Sequence, residues 1–299
     1  MQRKVIQIGN STQLISLPRK WALKHGIKKG EALDVVESQK GLTISPPSLN
    51  KKEKKLELTI KSPDGFRRML LFSPYIQGYT EIKINYKDPG IFSLVSDQVQ
   101  FLMGYEIITQ EPNYCIIKSI ASALDNDLDN IIKRIFWSTI SIMKDMINAL
   151  NNNDINKLNN LIALEGTNNK LTYFSLRLLN REGYKKDENK TNSIYYLIHC
   201  VEEIVDDLRD ICRYMIKNKL NINKKTKVLF EEISQYFEEV YSLFNKFDSE
   251  SLLNFDRGIK SFIRKLIKMM KHNNTDYVIL SFLHNIAAKI KHLPTEIHY

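Results

Sequence analysis

The residues with the clearest chemical potential are a run of carboxylates, Glu202-Glu203-Ile204-Val205-Asp206-Asp207-Leu208-Arg209-Asp210. On a helix, spacing of four puts Glu203 beside Asp207, and Glu202 beside Asp206 and Asp210, on adjacent stripes. Carboxylates one turn apart repel unless a cation lies between them. Oxygen ligands of this kind suit magnesium, manganese, calcium or ferric iron. The simpler alternative is an exposed acidic helix face relieved by Arg209 and Arg213. Catalytic arrangements are not evident. His199 precedes Glu202 by one turn, whereas a di-iron bundle needs Glu-x-x-His on two helices. His25, His272, His284, His292 and His298 have no partnered nucleophile. The glycines are isolated, so no phosphate-cradling loop is formed. An enzyme is therefore not expected.

Charge is unevenly distributed. Residues 1–61 carry 13 Lys/Arg against 5 Asp/Glu, whereas the rest of the 299-residue chain carries 31 against 29. Lysine-rich composition alone would spread the excess evenly, so the N-terminal concentration points to a polyanionic partner. A later basic stretch, Arg264-Lys265 and Lys268-Met269-Met270-Lys271-His272, is a second candidate phosphate surface or a solvated helix face. Three scattered cysteines (Cys115, Cys200, Cys212) suit reduced, buried thiols rather than a disulfide framework. No stretch approaches the ~18 uninterrupted apolar residues of a membrane span, and Met1-Gln2-Arg3-Lys4-Val5 lacks the apolar core of a secretory signal. A cytoplasmic protein without membrane insertion is expected.

These residues must be positioned by elements of two kinds. Residues 1–47 alternate as strands at Arg3–Ile8 and Thr12–Leu17, then as a short helix after Pro18 ending at Gly26, then as strands at Leu33–Glu37 and Leu42–Ile44. Pro46-Pro47-Ser48 and the Lys51–Lys55 run read as a linker. Residues 48–120 form a small α/β connector, with strands near 56–60, 80–84, 105–108 and 115–117 and a helix over 91–102. From Ser122 the periodicity is helical. Helices are predicted near 123–150, 155–181, 192–219, 225–247, 250–272 and 276–292, with Asp154 and Asn192 as N-caps and Gly183 closing the second. Their many aromatic residues, at helical spacing, suit core packing. The expected fold is α+β and multidomain: a swapped-hairpin β-barrel dimer, a connector, then two antiparallel three-helix bundles over 121–220 and 221–299.

About forty-seven residues cannot bury much core alone; dimerisation by interleaved strands would supply the cover, and a two-fold dimer matches palindromic DNA. The runs Lys4-Val5-Ile6-Gln7-Ile8-Gly9-Asn10-Ser11, Ile15-Ser16-Leu17-Pro18-Arg19-Lys20 and Gly26-Ile27-Lys28-Lys29-Gly30-Glu31-Ala32-Leu33 resemble the AbrB/SpoVT (MazE-like) family. That resemblance implies a swapped-hairpin homodimer that binds DNA, and it assigns the contact to Arg3, Lys4, Asn10, Ser11, Arg19, Lys20 and Lys24. Some members of the family pair with toxins, and Asn10 stands where many place a basic residue.

The segment Ile198-His199-Cys200-Val201-Glu202-Glu203-Ile204-Val205-Asp206-Asp207 looks like a metal-binding helix of the PhoU family, and Glu165-Gly166-Thr167-Asn168-Asn169-Lys170-Leu171-Thr172-Tyr173-Phe174 resembles its partner helix. This likeness implies a metal ion (iron, zinc, manganese or magnesium) on Glu165, Glu203 and Asp207, with Glu202, Asp206 and Asp210 as further candidates. Asn169 stands where a carboxylate is expected, and Asn285 likewise in the second bundle. The two resemblances in one chain are the arrangement of archaeal phosphate-uptake regulators. They imply a DNA-binding transcriptional regulator of phosphate homeostasis. The alternative is a PhoU-like interaction module acting on a phosphate transporter or sensor kinase without specific DNA binding.

Overall fold

In the computed structural model, described for all residues except 1, 10, 39–40, 47–52, 121–127, 272–275 and 299, the chain divides into two compact units, 1–53 and 54–299. The expected DNA contact Asn10 lies outside the described residues.

The N-terminal unit holds two separate hairpins and one short helix. Strands β1 (Ile6–Ile8) and β2 (Thr12–Leu14) pair antiparallel, with Ile6 opposite Leu14 and Ile8 opposite Thr12. Gly9 at the turn has φ 64°, a left-handed conformation that glycine adopts without a Cβ penalty. Helix α1 (Arg19–Lys24) follows Pro18, which stands just outside the helix rather than within its first turn. Strands β3 (Asp34–Ser38) and β4 (Gly41–Ser45) form the second hairpin. The first two strands are shorter than their alternating sequence suggests, three residues each, because each hairpin pairs only with itself.

The second unit begins with a four-stranded sheet in the order β5-β6-β8-β7, formed by β5 (Lys55–Ile60), β6 (Glu81–Tyr86), β7 (Tyr105–Glu111) and β8 (Tyr114–Ser119). β5 and β6 run parallel, which requires a crossover. Helix α2 (Met69–Ile76) supplies it, and α3 (Gly90–Val99) joins β6 to β7. α2 has no counterpart among the expected elements, because Pro74 sits inside it and masks the helical signal of the Met69-Leu70-Leu71-Phe72 run. One sheet face is core (Ile60, Ile82, Ile84, Cys115, Ile117). The other carries ion pairs, Lys55–Glu81 and Lys83–Glu57.

Six long helices follow: α4 (Leu128–Asn152), α5 (Ile155–Glu182), α6 (Thr191–Asn218), α7 (Lys224–Asn245), α8 (Ser249–Met270) and α9 (Tyr277–His298). α4, α5 and α6 pack together, α8 and α7 pack on α9, and α4–α7 and α6–α9 contacts join the two sets. Asp154 caps α5 by accepting from the Lys157 amide, and Gly183 closes it at φ 70°. Asn192 is not a cap. α6 starts one residue earlier, after a short 3-10 turn capped by Asp187. α9 runs past Pro294 to His298, beyond the expected end near 292.

The sheet layer is fixed to α5 by a buried cation. Arg177, 3% exposed, lies between the rings of Tyr75 and Tyr105, at 4.9 and 4.8 Å, and donates to the Tyr75 carbonyl at 2.6 Å. Asn180 donates to the Ile76 carbonyl, and Phe72 meets Tyr173 edge-on. The sheet and the bundle therefore share one continuous core. All three cysteines are free and buried.

Candidate nucleic-acid interface

Among described residues 2–45 none is buried, and Val5, Ile6, Ile8, Ile15, Leu23, Val35 and Leu42 are each more than half exposed. A lone unit of this composition leaves its apolar strand faces in water. At about 25 cal/mol per Å² this is a substantial unrealised stabilisation, and contiguous apolar exposure marks an association surface. The cations stand on the same unit. Arg3 and Lys4 precede β1, Ser11 follows the β1–β2 turn, and Arg19, Lys20 and Lys24 lie on α1, all exposed. Among the described residues none of Arg3, Lys4, Arg19, Lys20 and Lys24 pairs with a carboxylate. Free cations on a unit with few acids can neutralise phosphates. In the loop after α1 the Glu31 carboxylate accepts from the Lys28 backbone amide at 2.9 Å.

Residues 6–52 match the family model described as antidote-toxin recognition MazE, bacterial antitoxin. The match covers the N-terminal unit and leaves the sheet and helices of the second unit outside it. Neither curated proteins nor solved structures give a match to the chain.

The carboxylates of α5 and α6 form a seam inside the helical unit. Glu165 is buried. Its Oε1 accepts from Arg209 and from Asn169, both at 2.7 Å. The same guanidinium reaches Asp206 at 2.5 Å and Asp210 at 2.9 Å. Lys289 of α9 donates to Asp207 at 2.9 Å and lies 3.9 Å from Glu203. Glu202 faces Tyr173, whose hydroxyl donates to it at 3.3 Å, and His199 lies 3.8 Å away. Burial, with Asp206 nearby, pushes the Glu202 carboxyl up to about 7. Burial also raises Asp207, with Lys289 opposing it.

This geometry does not suit a resident metal ion. Arg209 already pairs with Glu165, Asp206 and Asp210, and Lys289 with Glu203 and Asp207. Among the described residues no group of three or more His, Cys, Asp or Glu is placed to hold a metal. A metal on Glu165, Glu203 or Asp207 would have to displace one of these cations. The acidic run brings α5, α6 and α9 together through charge pairs. Spacing within α6 could find Arg209, but Lys289 lies 82 residues from Asp207 and is not visible in a local pattern.

No helix is long and apolar enough to cross a membrane among the described residues.

Proposed function

We propose that the chain is a dimeric DNA-binding regulator whose N-terminal hairpins grip DNA and whose helical unit receives a signal. The observation that carries this reading is the N-terminal unit itself. It pairs uncovered apolar strands with uncompensated cations, and it matches an antitoxin-recognition family model. In this reading two copies exchange hairpins, the apolar strands cover one another, and the cations gather on one face. Arg3, Lys4, Arg19, Lys20 and Lys24 meet phosphates, while Ser11 approaches the bases. The link to phosphate uptake is supported only by the resemblance of the α5 and α6 segments to PhoU helices.

The test is a gel-shift assay at several salt concentrations, followed by genome-wide occupancy of the tagged protein at high and low phosphate. Arg19→Ala with Lys20→Ala should weaken binding and reduce the steepness of its salt dependence by about 2. Unchanged binding would defeat the assignment. The family description also favours a second reading, in which the N-terminal unit recognises and neutralises a toxin-like protein. Co-purification of a stoichiometric small protein, released when residues 1–53 are deleted, would identify that case.

A further inference from the structure

Helix α8 presents a charge pattern that the fold does not use. Its inner face, Phe255, Ile259, Phe262 and Leu266, is buried. Its outer face carries Arg257, Lys260, Arg264, Lys268 and Lys271, all exposed. From Ser249 to Lys271 the helix has six cations and two acids. Asp256 pairs with Lys260 and, from α7, Glu232 pairs with Lys265. Among the described residues, Arg257, Arg264, Lys268 and Lys271 have no carboxylate partner.

A merely solvated helix face mixes signs, because opposite charges three or four residues apart stabilise a helix and like charges oppose it. Here Lys260, Arg264 and Lys268 succeed one another at spacing four, and Lys268 and Lys271 at spacing three. The C-terminal dipole favours the last two but does not explain Arg257 or Arg264. The row spans about 21 Å and offers a cation roughly every turn, near 5 Å. Duplex DNA supplies a phosphate about every 3.4 Å of axis on each strand, so every cation of such a row has an anion within reach. A lipid surface is disfavoured. The apolar side of α8 is committed to the bundle, and Leu253 and Ile267 are the large apolar side chains left on its outer side.

We infer that the outer face of α8 is a second nucleic-acid-binding surface, which holds the phosphate backbone through Arg257, Arg264, Lys268 and Lys271 without reading sequence. It adds to the N-terminal interface proposed above but does not depend on it.

The experiment uses the full chain, with duplex DNA titrated across a series of salt concentrations and heparin as a polyanion without bases. In R257Q/R264Q/K268Q/K271Q, glutamine keeps helix propensity, and circular dichroism checks the helix content. Should the quadruple variant misfold, the pairs R257Q/R264Q and K268Q/K271Q replace it. The slope of log affinity against log salt is expected to become shallower by about 2 to 4, near 0.9 for each lost contact, with heparin affinity falling in parallel. An unchanged slope overturns the inference. So does a loss confined to binding of anionic lipid vesicles or of an acidic protein. The double variant R19A/K20A separates the two readings. If its DNA binding is unchanged, the N-terminal assignment fails while the α8 result stands. If residual binding in that background disappears on adding the α8 substitutions, both surfaces are at work.

Discussion

At the scale of single residues, the strongest constraints are buried cations. Arg177 carries a full charge into a site with no carboxylate partner among the described residues, and burial lowers its pKa. Two aromatic faces and a backbone carbonyl compensate for lost hydration. Lysine keeps the charge but lacks the flat guanidinium that lies between the two rings. Arg177→Lys is therefore expected to destabilise the second unit by about 2 kcal/mol, from two weakened cation–π contacts, read as a lower urea midpoint. An unchanged midpoint would mean that the sandwich contributes nothing. Gly78 sits beside this joint at φ 83°, and an added Cβ would lie 2.7 Å from the Arg181 side chain. Arg209 and Lys289 lead to another expectation. With their carboxylate partners already held by these cations, dialysis against a chelator should leave the thermal midpoint of the full chain unchanged. A fall of several degrees, restored by one divalent ion, would show that a metal takes part.

At the scale of elements, helix ends are where stability can be read most directly. Asp248 caps α8 by accepting from the Ser251 amide at 2.7 Å, and hydrogen bonds from Ser251 hold its carboxyl below the ordinary value. A lowered folded pKa contributes stability above the unfolded value and loses it as pH falls through the folded value. Asp248→Asn retains a cap but not the titration. The variant should therefore differ from the parent by a constant amount above about pH 5, and the gap should shift in its favour as pH falls through and below the ordinary aspartate range. Urea midpoints from pH 2.5 to 6 measure this, and parallel curves would count against it.

The six long helices were legible from sequence because their apolar period extends over many turns with few breaks. The ends were also legible at Asp154 and Gly183, where cap chemistry is local. The crossover helix with Pro74 was not, since eight residues with a proline carry too little periodicity. In the candidate site, local pattern could place Arg19, Lys20 and Lys24 on a short helix, whereas Arg3 and Lys4, expected on the first strand, precede it. It could not show that the α6 carboxylates face Arg209 and Lys289, because that pairing depends on how α5, α6 and α9 pack. The outer face of α8 was visible as a basic stretch, but its isolation from acids emerges only with the helix neighbours known.

At the scale of the molecule, the two units have opposite relations to water. Residues 54–299 bury a continuous core from the sheet through α9, and such a unit can fold alone. Among the described residues of 1–53 almost none is buried, and large aliphatic side chains are more than half exposed. Domains this small are marginal even when well packed, so their stability must come from a partner and depend on protein concentration. The full chain is expected to be a dimer by light scattering, and a chain starting at residue 54 a monomer with the same helical circular dichroism per residue. Ile6→Asp with Leu14→Asp, placing charges on the uncovered strands, should dissociate the full chain and abolish DNA binding while leaving the thermal transition of the second unit in place. If the shortened chain still dimerises, the helices hold the copies together. The exposed N-terminal strands must then be covered by another protein, and the toxin-recognition reading gains the support that the DNA reading loses.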